Sequence, residues 1–245
     1  MSVASPQGRN RPRHRMIDRM ATILDAAARS RTGLTLSELA RIIDAPVSST
    51  QGLVNGLVAT GFLDEHDRSY TLGGAPYLLN LIAGRRFVSQ VTSEALDELR
   101  ATTGLTATLA IAVGWNAFYV DHSSSNQRWA YLAENYVRRT LIQSSSGLVL
   151  MAGMEKRDVW TYLRSLPESE AWRIERYFQL LPEIEERGIC AAPGIAPDGD
   201  AVSVAIRERG RIVGAVGLGG SVEEVAEHKD EIVELLIARA KEWEV

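Results

Sequence analysis

The sequence predicts an α+β protein in two parts, and three observations carry that expectation. Between residues 16 and 61 the apolar side chains recur three times at helical spacing, and a pair of strand-like runs follows at 62–73. From residue 106 onward, apolar residues gather into runs joined by tight turns: TATLAIAVG with NAFYVDH, and AVSVAIRERGRIVGAVGLG at 201–219. Helical segments stand around those hairpins instead of alternating with single strands, which implies one antiparallel sheet with helices packed on it.

In chain order, Met16, Met20, Ile23, Leu24 and Ala27 give an amphipathic helix over 16–28, ended by the polar break at 29–33. Thr35 followed by Glu38 has the form of a capping box, and Leu36, Leu39, Ala40 and Ile43 supply the stripe of a short second helix. Asp44-Ala45-Pro46 makes a turn, because the residue before proline is pushed out of the helical region. A third helix follows with Leu53, Val54, Leu57 and Val58 inward and Gly61 as its stop. Phe62-Leu63 and Tyr70-Thr71-Leu72 flank a polar turn centred on His66-Asp67-Arg68. Three short helices and a two-stranded wing describe a winged helix-turn-helix. The run APYLLNLIAG predicts a connecting helix over 75–87, and 89–103 a further helix. Helices are also expected from Ser145 to Met154, at 155–165, at 168–187 with a break at Pro182, and over 222–241, with Val225, Ile232, Leu235, Leu236 and Ala240 inward. The expected divisions are 1–74, a linker at 75–88, and 89–245.

The net charge is −4, but it is unevenly spread. Residues 1–75 hold nine Arg against seven Asp and Glu, and the rest hold 18 Lys and Arg against 24 acids, so the first part is +2 and the second −6. Arg9, Arg11, Arg13 and Arg15 form a basic arm, which is either a solvated tail or an electrostatic arm for phosphates. One cysteine, Cys190, excludes an internal disulfide framework and fits a reducing compartment. No run reaches the ~18 apolar residues of a membrane span, and the N-terminus lacks the apolar stretch of a secretory signal, so no membrane role and a cytoplasmic location are expected. His14, His66, His122 and His228 are not spaced as metal pairs. GAVGLGG does not match the spacing of a dinucleotide-binding glycine loop. No catalytic residue, metal or cofactor is expected.

This order of parts resembles the isocitrate-lyase-regulator (IclR) family of bacterial transcription factors. The likeness is strongest over LTLSELARIIDAPVSSTQGLVNGLVATGFLDE and the SYTLG that leaves the wing; Ser144-Ser145-Ser146-Gly147, IEERG at 184–188, Gly199 and GAVGLGG extend it. The resemblance implies a winged helix-turn-helix, a linker helix and a C-terminal GAF-like domain that binds a small effector. Double-stranded DNA with a pseudo-palindromic operator and a homodimer or homotetramer follow from the same likeness. The chain departs from the family pattern in several places. Val47 and Gly52 stand where basic residues are common, Leu148 where a Lys follows the helix-start glycine, Gly217 and Gly219 where serines are common, and Ile195 where an acid is common.

No Lys or Arg lies between Arg41 and Arg68, so the third helix must read DNA without charge of its own. Its outward residues near the N-terminal end are Ser48, Ser49, Gln51, Gly52 and Asn55. Gln51 and Asn55 share a face and can pair with adenine, while Arg13, Arg15, Arg41 and Arg68 are expected to hold phosphates. Gly52 and Gly56 suggest close approach to DNA or to a neighbouring helix. In the second domain, Ser144, Ser145 and Ser146 are either an ordinary helix cap or hydroxyls that meet a ligand, and the resemblance favours ligand contact. It also implies that Cys190, Val202, Ser203 and Gly217 line the other side. Glycines in place of hydroxyls lead to the expectation of an aromatic or hydrophobic carboxylate. A GAF-like ligand-binding or enzymatic protein whose helix-turn-helix contacts protein remains the alternative, as does a winged-helix repressor whose second domain only oligomerises.

Overall fold

The computed structural model describes residues 14–83, 88–126 and 138–244, and the backbone divides into two compact units, Met1–Arg86 and Phe87–Val245. Arg9, Arg11 and Arg13 of the expected arm, and the expected end of the connecting helix at 84–87, lie outside the described residues.

In the first unit, α1 (Arg15–Arg29), α2 (Leu36–Ile42) and α3 (Val47–Ala59) precede a hairpin of β2 (Leu63–His66) and β3 (Ser69–Leu72). The capping box forms: Thr35 N–H donates to Glu38 Oε2 at 2.8 Å and Glu38 N–H to Thr35 Oγ1 at 3.4 Å. Both α2 and α3 end in Schellman pairs of hydrogen bonds, Ala45 N–H to Ala40 O with Asp44 N–H to Arg41 O, and Phe62 N–H to Leu57 O with Gly61 N–H to Val58 O. The left-handed residue each motif needs is Asp44 (φ 46°) in the first and Gly61 (φ 73°) in the second. The wing turns on two residues, Asp67 (φ 49°) and Arg68 (φ 62°), so His66 ends β2 instead of joining the turn. A short strand that the sequence pattern did not predict, β1 (Leu34–Thr35), pairs with β3, and Thr35 both ends it and caps α2.

Ile23, Leu39, Val54, Leu57, Leu63 and Tyr70 form the core of this unit. Leu53 and Val58, expected inward, are only half-buried, and Met16 is 54 % exposed. Thr50 is buried in their stead; its hydroxyl donates to Pro46 O at 3.0 Å and so needs no outside partner. After the wing comes α4 (Ala75–Ala83), which has no buried residue.

The second unit is a six-stranded antiparallel sheet: β4 (Thr106–Val113), β5 (Asn116–Ser123), β6 (Arg138–Thr140), β7 (Ile189–Ala191), β8 (Asp200–Glu208) and β9 (Arg211–Gly220), in the order β6-β5-β4-β9-β8-β7. The short edge strands β6 and β7 were not expected. Strand alternation sends Ala107, Leu109, Val202, Val204, Ile206, Val216 and Leu218 to one face, under α5 (Ser93–Thr103), α9 (Val222–Glu227) and α10 (Lys229–Glu242). Ala110, Tyr119, Cys190, Ala205 and Ala215 face the other layer, made by α6 (Ser145–Ala152), α7 (Lys156–Ser165) and α8 (Ala171–Arg187).

Two helix expectations are corrected. Pro182 does not break α8. Proline costs a helix interior about 3 kcal/mol, but Tyr177 and Ile184 are buried on either side of it and hold the helix to the core. Phe178, whose carbonyl loses its partner, lies on the exposed flank. The C-terminal helix is two helices, because His228 leaves the helical region (φ −112°, ψ 16°); Val225, Ile232 and Leu236 still reach one layer.

Candidate DNA interface and effector cleft

The N-terminal end of α3 presents Ser48 and Ser49 to solvent. One turn on, Gln51 Nε2 donates to Asn55 Oδ1 at 2.7 Å. That bond fixes the two amides against each other and leaves the Gln51 carbonyl and the Asn55 amino group for an outside partner. A groove brings the start of α1 alongside: His14, Arg15, Met16 and Arg19 line it with Ser49 and Leu53. Arg19, absent from the sequence expectation, also donates to the carbonyl of Asp44 in the helix-turn-helix turn at 3.4 Å. Its spacing of four residues from Arg15, which puts both on one helix face, was the available signal. Arg41 on α2 and Arg68 in the wing turn are exposed, but neither is part of this groove. A Cβ built on Gly52 or Gly56 meets nothing within 4 Å. Among the described residues, close packing against a neighbouring helix is therefore not the reason for these glycines.

In the second unit the segment before α6 is held rigidly. Leu141 N–H donates to Trp115 O at 3.1 Å, Ile142 N–H to Tyr162 Oη at 3.1 Å, and both apolar side chains are fully buried. Gly147 lies against Leu141, where a Cβ would come within 2.0 Å of the Leu141 carbonyl oxygen. The Ser144 hydroxyl accepts from Gly147 N–H at 3.1 Å and caps the helix. Helix geometry leaves the N–H groups of Ser145 and Ser146 without intrahelical partners.

Beside this helix start is a cleft of about 520 Å³, mouth included, lined by Thr106, Thr108, Tyr119, Arg139, Ser144, Ser145, Ser146, Ala196, Asp198, Gly199, Asp200, Ala201 and Gly219. Ser144, Ser145 and Ser146 are among its lining residues. Val202 does not: it points into the opposite apolar layer, because neighbours along a strand face opposite sides. Cys190, Ser203 and Gly217 are on the correct face but lie behind the cleft wall. Ser203, fully buried, shares hydrogen bonds with Ser145 (2.7 Å) and Ser146 (2.9 Å). Gly217 makes room for that hydroxyl cluster, since a Cβ there would be 2.8 Å from Ser203 Oγ and 3.2 Å from Ser146 Oγ. Burial pushes the Cys190 thiol far above its usual pKa, so it is an inert core residue.

Residues that the sequence expectation missed give the cleft its charge. Arg139 Nη2 donates to both carboxylate oxygens of Asp198 at 2.8 and 2.7 Å, across 59 positions of sequence. Burial disfavours the Arg139 charge, but the hydrogen bond to Asp198 and the adjoining Tyr119 outweigh it and hold its pKa above the ordinary guanidinium value. Burial raises the Tyr119 phenol pKa, against the opposing pull of Arg139 and Ser144, so it remains a neutral donor and acceptor. Burial also raises the Asp200 pKa, while that carboxylate accepts from Gly194 N–H (3.0 Å) and Ala201 N–H (2.9 Å). Among the described residues no group of three His, Cys, Asp or Glu side chains could hold a metal ion, and no helix is long and apolar enough to cross a membrane.

A winged helix joined to an α/β unit of this kind is the architecture of a two-domain DNA-binding regulator. The chain belongs to the IclR family: residues 16–67 match the IclR helix-turn-helix domain and residues 82–244 the C-terminal domain of bacterial transcriptional regulators of IclR type. It is thus an IclR-type DNA-binding transcriptional regulator with a C-terminal effector-binding domain, and not an enzyme. Among solved structures it is similar to an IclR homologue from Microbacterium hydrocarbonoxydans complexed with 4-hydroxybenzoate, at 22% identity over 92% of this chain and 99% of that one, with a TM-score of 0.64. It is also similar to an IclR family transcriptional regulator from Brucella abortus, at 19% identity over 98% of this chain and 95% of that one, with a TM-score of 0.68. At these identities the likeness shows the fold. Comparison with curated proteins found no match.

Proposed function

We propose that this regulator binds a pseudo-palindromic operator as a homodimer or a dimer of dimers in the cytoplasm, and that a small aromatic or hydrophobic carboxylate in the cleft of the second unit shifts its affinity for DNA. The observation that carries the effector reading is the cleft itself, where a partly buried arginine, Arg139, and the serine-rich start of α6 line one space. A guanidinium suits a carboxylate, and free N–H groups at a helix start suit an anion. The 4-hydroxybenzoate held by the Microbacterium homologue supports the same ligand class.

In the DNA-binding reading, Gln51 and Asn55 meet base edges, Ser48 and Ser49 meet phosphate or bases, and Arg13, Arg15, Arg41 and Arg68 hold phosphates together with Arg19. This division of labour suits a helix with no charge of its own. Dimerisation is supported by α4, where Tyr77, Leu78, Leu79, Leu81 and Ile82 are all more than half exposed. An effector acts by binding better to one state than to the other, and the coupling between ligand and DNA is reciprocal. Gel-shift titration on DNA upstream of the protein's own gene, with and without benzoates, tests the whole reading. An affinity for DNA that stays flat against salt, or that no acid alters, would refute it.

A further inference from the structure

Among the described residues four ionisable groups face the cleft: Tyr119, Arg139, Asp198 and Asp200. Tyr119 is neutral, so the described lining holds one cation and two carboxyl groups. The two acids have different neighbours. Asp200 is bound to the backbone of Gly194 and Ala201, and the charges of Lys229 and Arg176 act on it. Among the described residues Asp198 is bound to Arg139 alone of the side chains, with both oxygens converging on the single nitrogen Nη2.

Their exposures differ as well. The Arg139 side chain is 11 % exposed and Asp198 32 %, so the acid sits at the open side of the pair and the guanidinium deeper. The backbone around Asp198 is fastened on both sides. Ile195 is fully buried, and its carbonyl accepts from Arg173 Nε at 2.8 Å. Pro193 O accepts from Arg176 Nε at 3.2 Å, and Asp200 holds the other end. Between these fixings Asp198 can leave Arg139 by rotation of its own side chain, with no unfolding of the segment.

We propose that Asp198 is a built-in competitor for the carboxylate site on Arg139, and that this competition sets the affinity and acid specificity of the cleft. The proposal rests on the reading of this cleft as the effector site. A ligand carboxylate gains the Nη2 edge of Arg139 only by displacing Asp198, so at that edge one charge-assisted contact is exchanged for another. The exchange keeps anion binding weak enough to reverse, whereas a bare guanidinium at this depth would bind anions indiscriminately. A neutral ligand of the same shape does not make the exchange.

Calorimetry on the full-length protein tests this with two probes, 4-hydroxybenzoate and its neutral isostere 4-hydroxybenzamide. Asp198→Asn is expected to bind the acid about tenfold more tightly, at the lower end of what one charge-assisted contact contributes, and to leave amide binding unchanged. Arg139→Gln is expected to lose the preference for acid over amide. If Asp198→Asn binds the acid equally or more weakly while the unaltered protein binds it, Asp198 only positions Arg139; the competitor proposal then fails and the effector reading stands. If the folded, unaltered protein binds neither probe, the effector reading and the proposal fall together. Thermal unfolding checks each variant, and Asp198→Ser repeats the measurement with a smaller uncharged side chain should the amide disturb the fold.

Discussion

Replacing Gly52 and Gly56 by alanine is predicted to stabilise the first unit and at the same time weaken its hold on DNA. Both glycines lie inside α3 with helical backbone, both are exposed, and a Cβ at either meets nothing within 4 Å. No intrachain clash therefore opposes the change, and the intrinsic preference of alanine for helix applies at about 0.8–1.0 kcal/mol per site. The pair would contribute about 2 kcal/mol. For a unit of this size that is a rise of roughly 8–16 °C in the unfolding midpoint, at about 4–8 °C per kcal/mol. The assay is thermal unfolding followed by circular dichroism, on single and double variants, with the transition of the second unit as an internal reference. A helix that forgoes this stability on its outward face implies that something outside the chain comes close to it. Two added methyl groups are then expected to reduce operator affinity about tenfold or more, through contacts held apart rather than charge lost, so the salt slope should stay the same. A lower midpoint would show that the glycines serve the fold, contrary to the open space around them. A higher midpoint with unchanged DNA affinity would show that α3 is not the element pressed against DNA.

Three further predictions concern other parts of the molecule. Gln51→Ala should lose sequence preference while the dependence of DNA binding on salt stays nearly intact, whereas Arg15→Ala should weaken all sequences alike and reduce the salt slope by about one; equal behaviour of the two variants in competition gel shifts would overturn the division of roles. Gly147→Ala should cost the second unit more than the ~1–3 kcal/mol typical of overpacking, because its Cβ would sit 2.0 Å from the Leu141 carbonyl oxygen; soluble protein with an unshifted unfolding transition would contradict this. Cys190 should resist thiol reagents at pH 8 in the native protein and react only on unfolding, since burial holds its pKa far above that pH; rapid native labelling, read by mass spectrometry, would show a route to the thiol that the packing denies.

What could be read from sequence was local. The capping box of Thr35 and Glu38, the stop at Gly61, the turn before Pro46 and the hairpin at 208–210 each depend on residues a few positions apart, whose backbone preferences act whatever the rest of the chain does. Periodicity placed most of the helices and the four long strands for the same reason, and it also held the signal that was misread at Val202. Strict alternation with Ser203 puts the two on opposite faces of β8, so only one of them could look toward α6.

Tertiary structure decided whatever depended on distant partners. The edge strands β6 and β7 are three residues long and exist because a neighbouring strand accepts their hydrogen bonds; β1, of two residues, exists for the same reason. Pro182 is tolerated inside α8 because burial of that helix outweighs a missing bond, an energy the local sequence does not contain. Arg139 and Asp198 carry no motif and stand 59 positions apart; only the folding of β6 beside the segment before β8 sets a partly buried cation against a more exposed acid in one cleft. Local backbone preference therefore specified the helix-turn-helix. The charge in the cleft of the second unit arose from long-range contacts, because electrostatics acts through space and not along the chain.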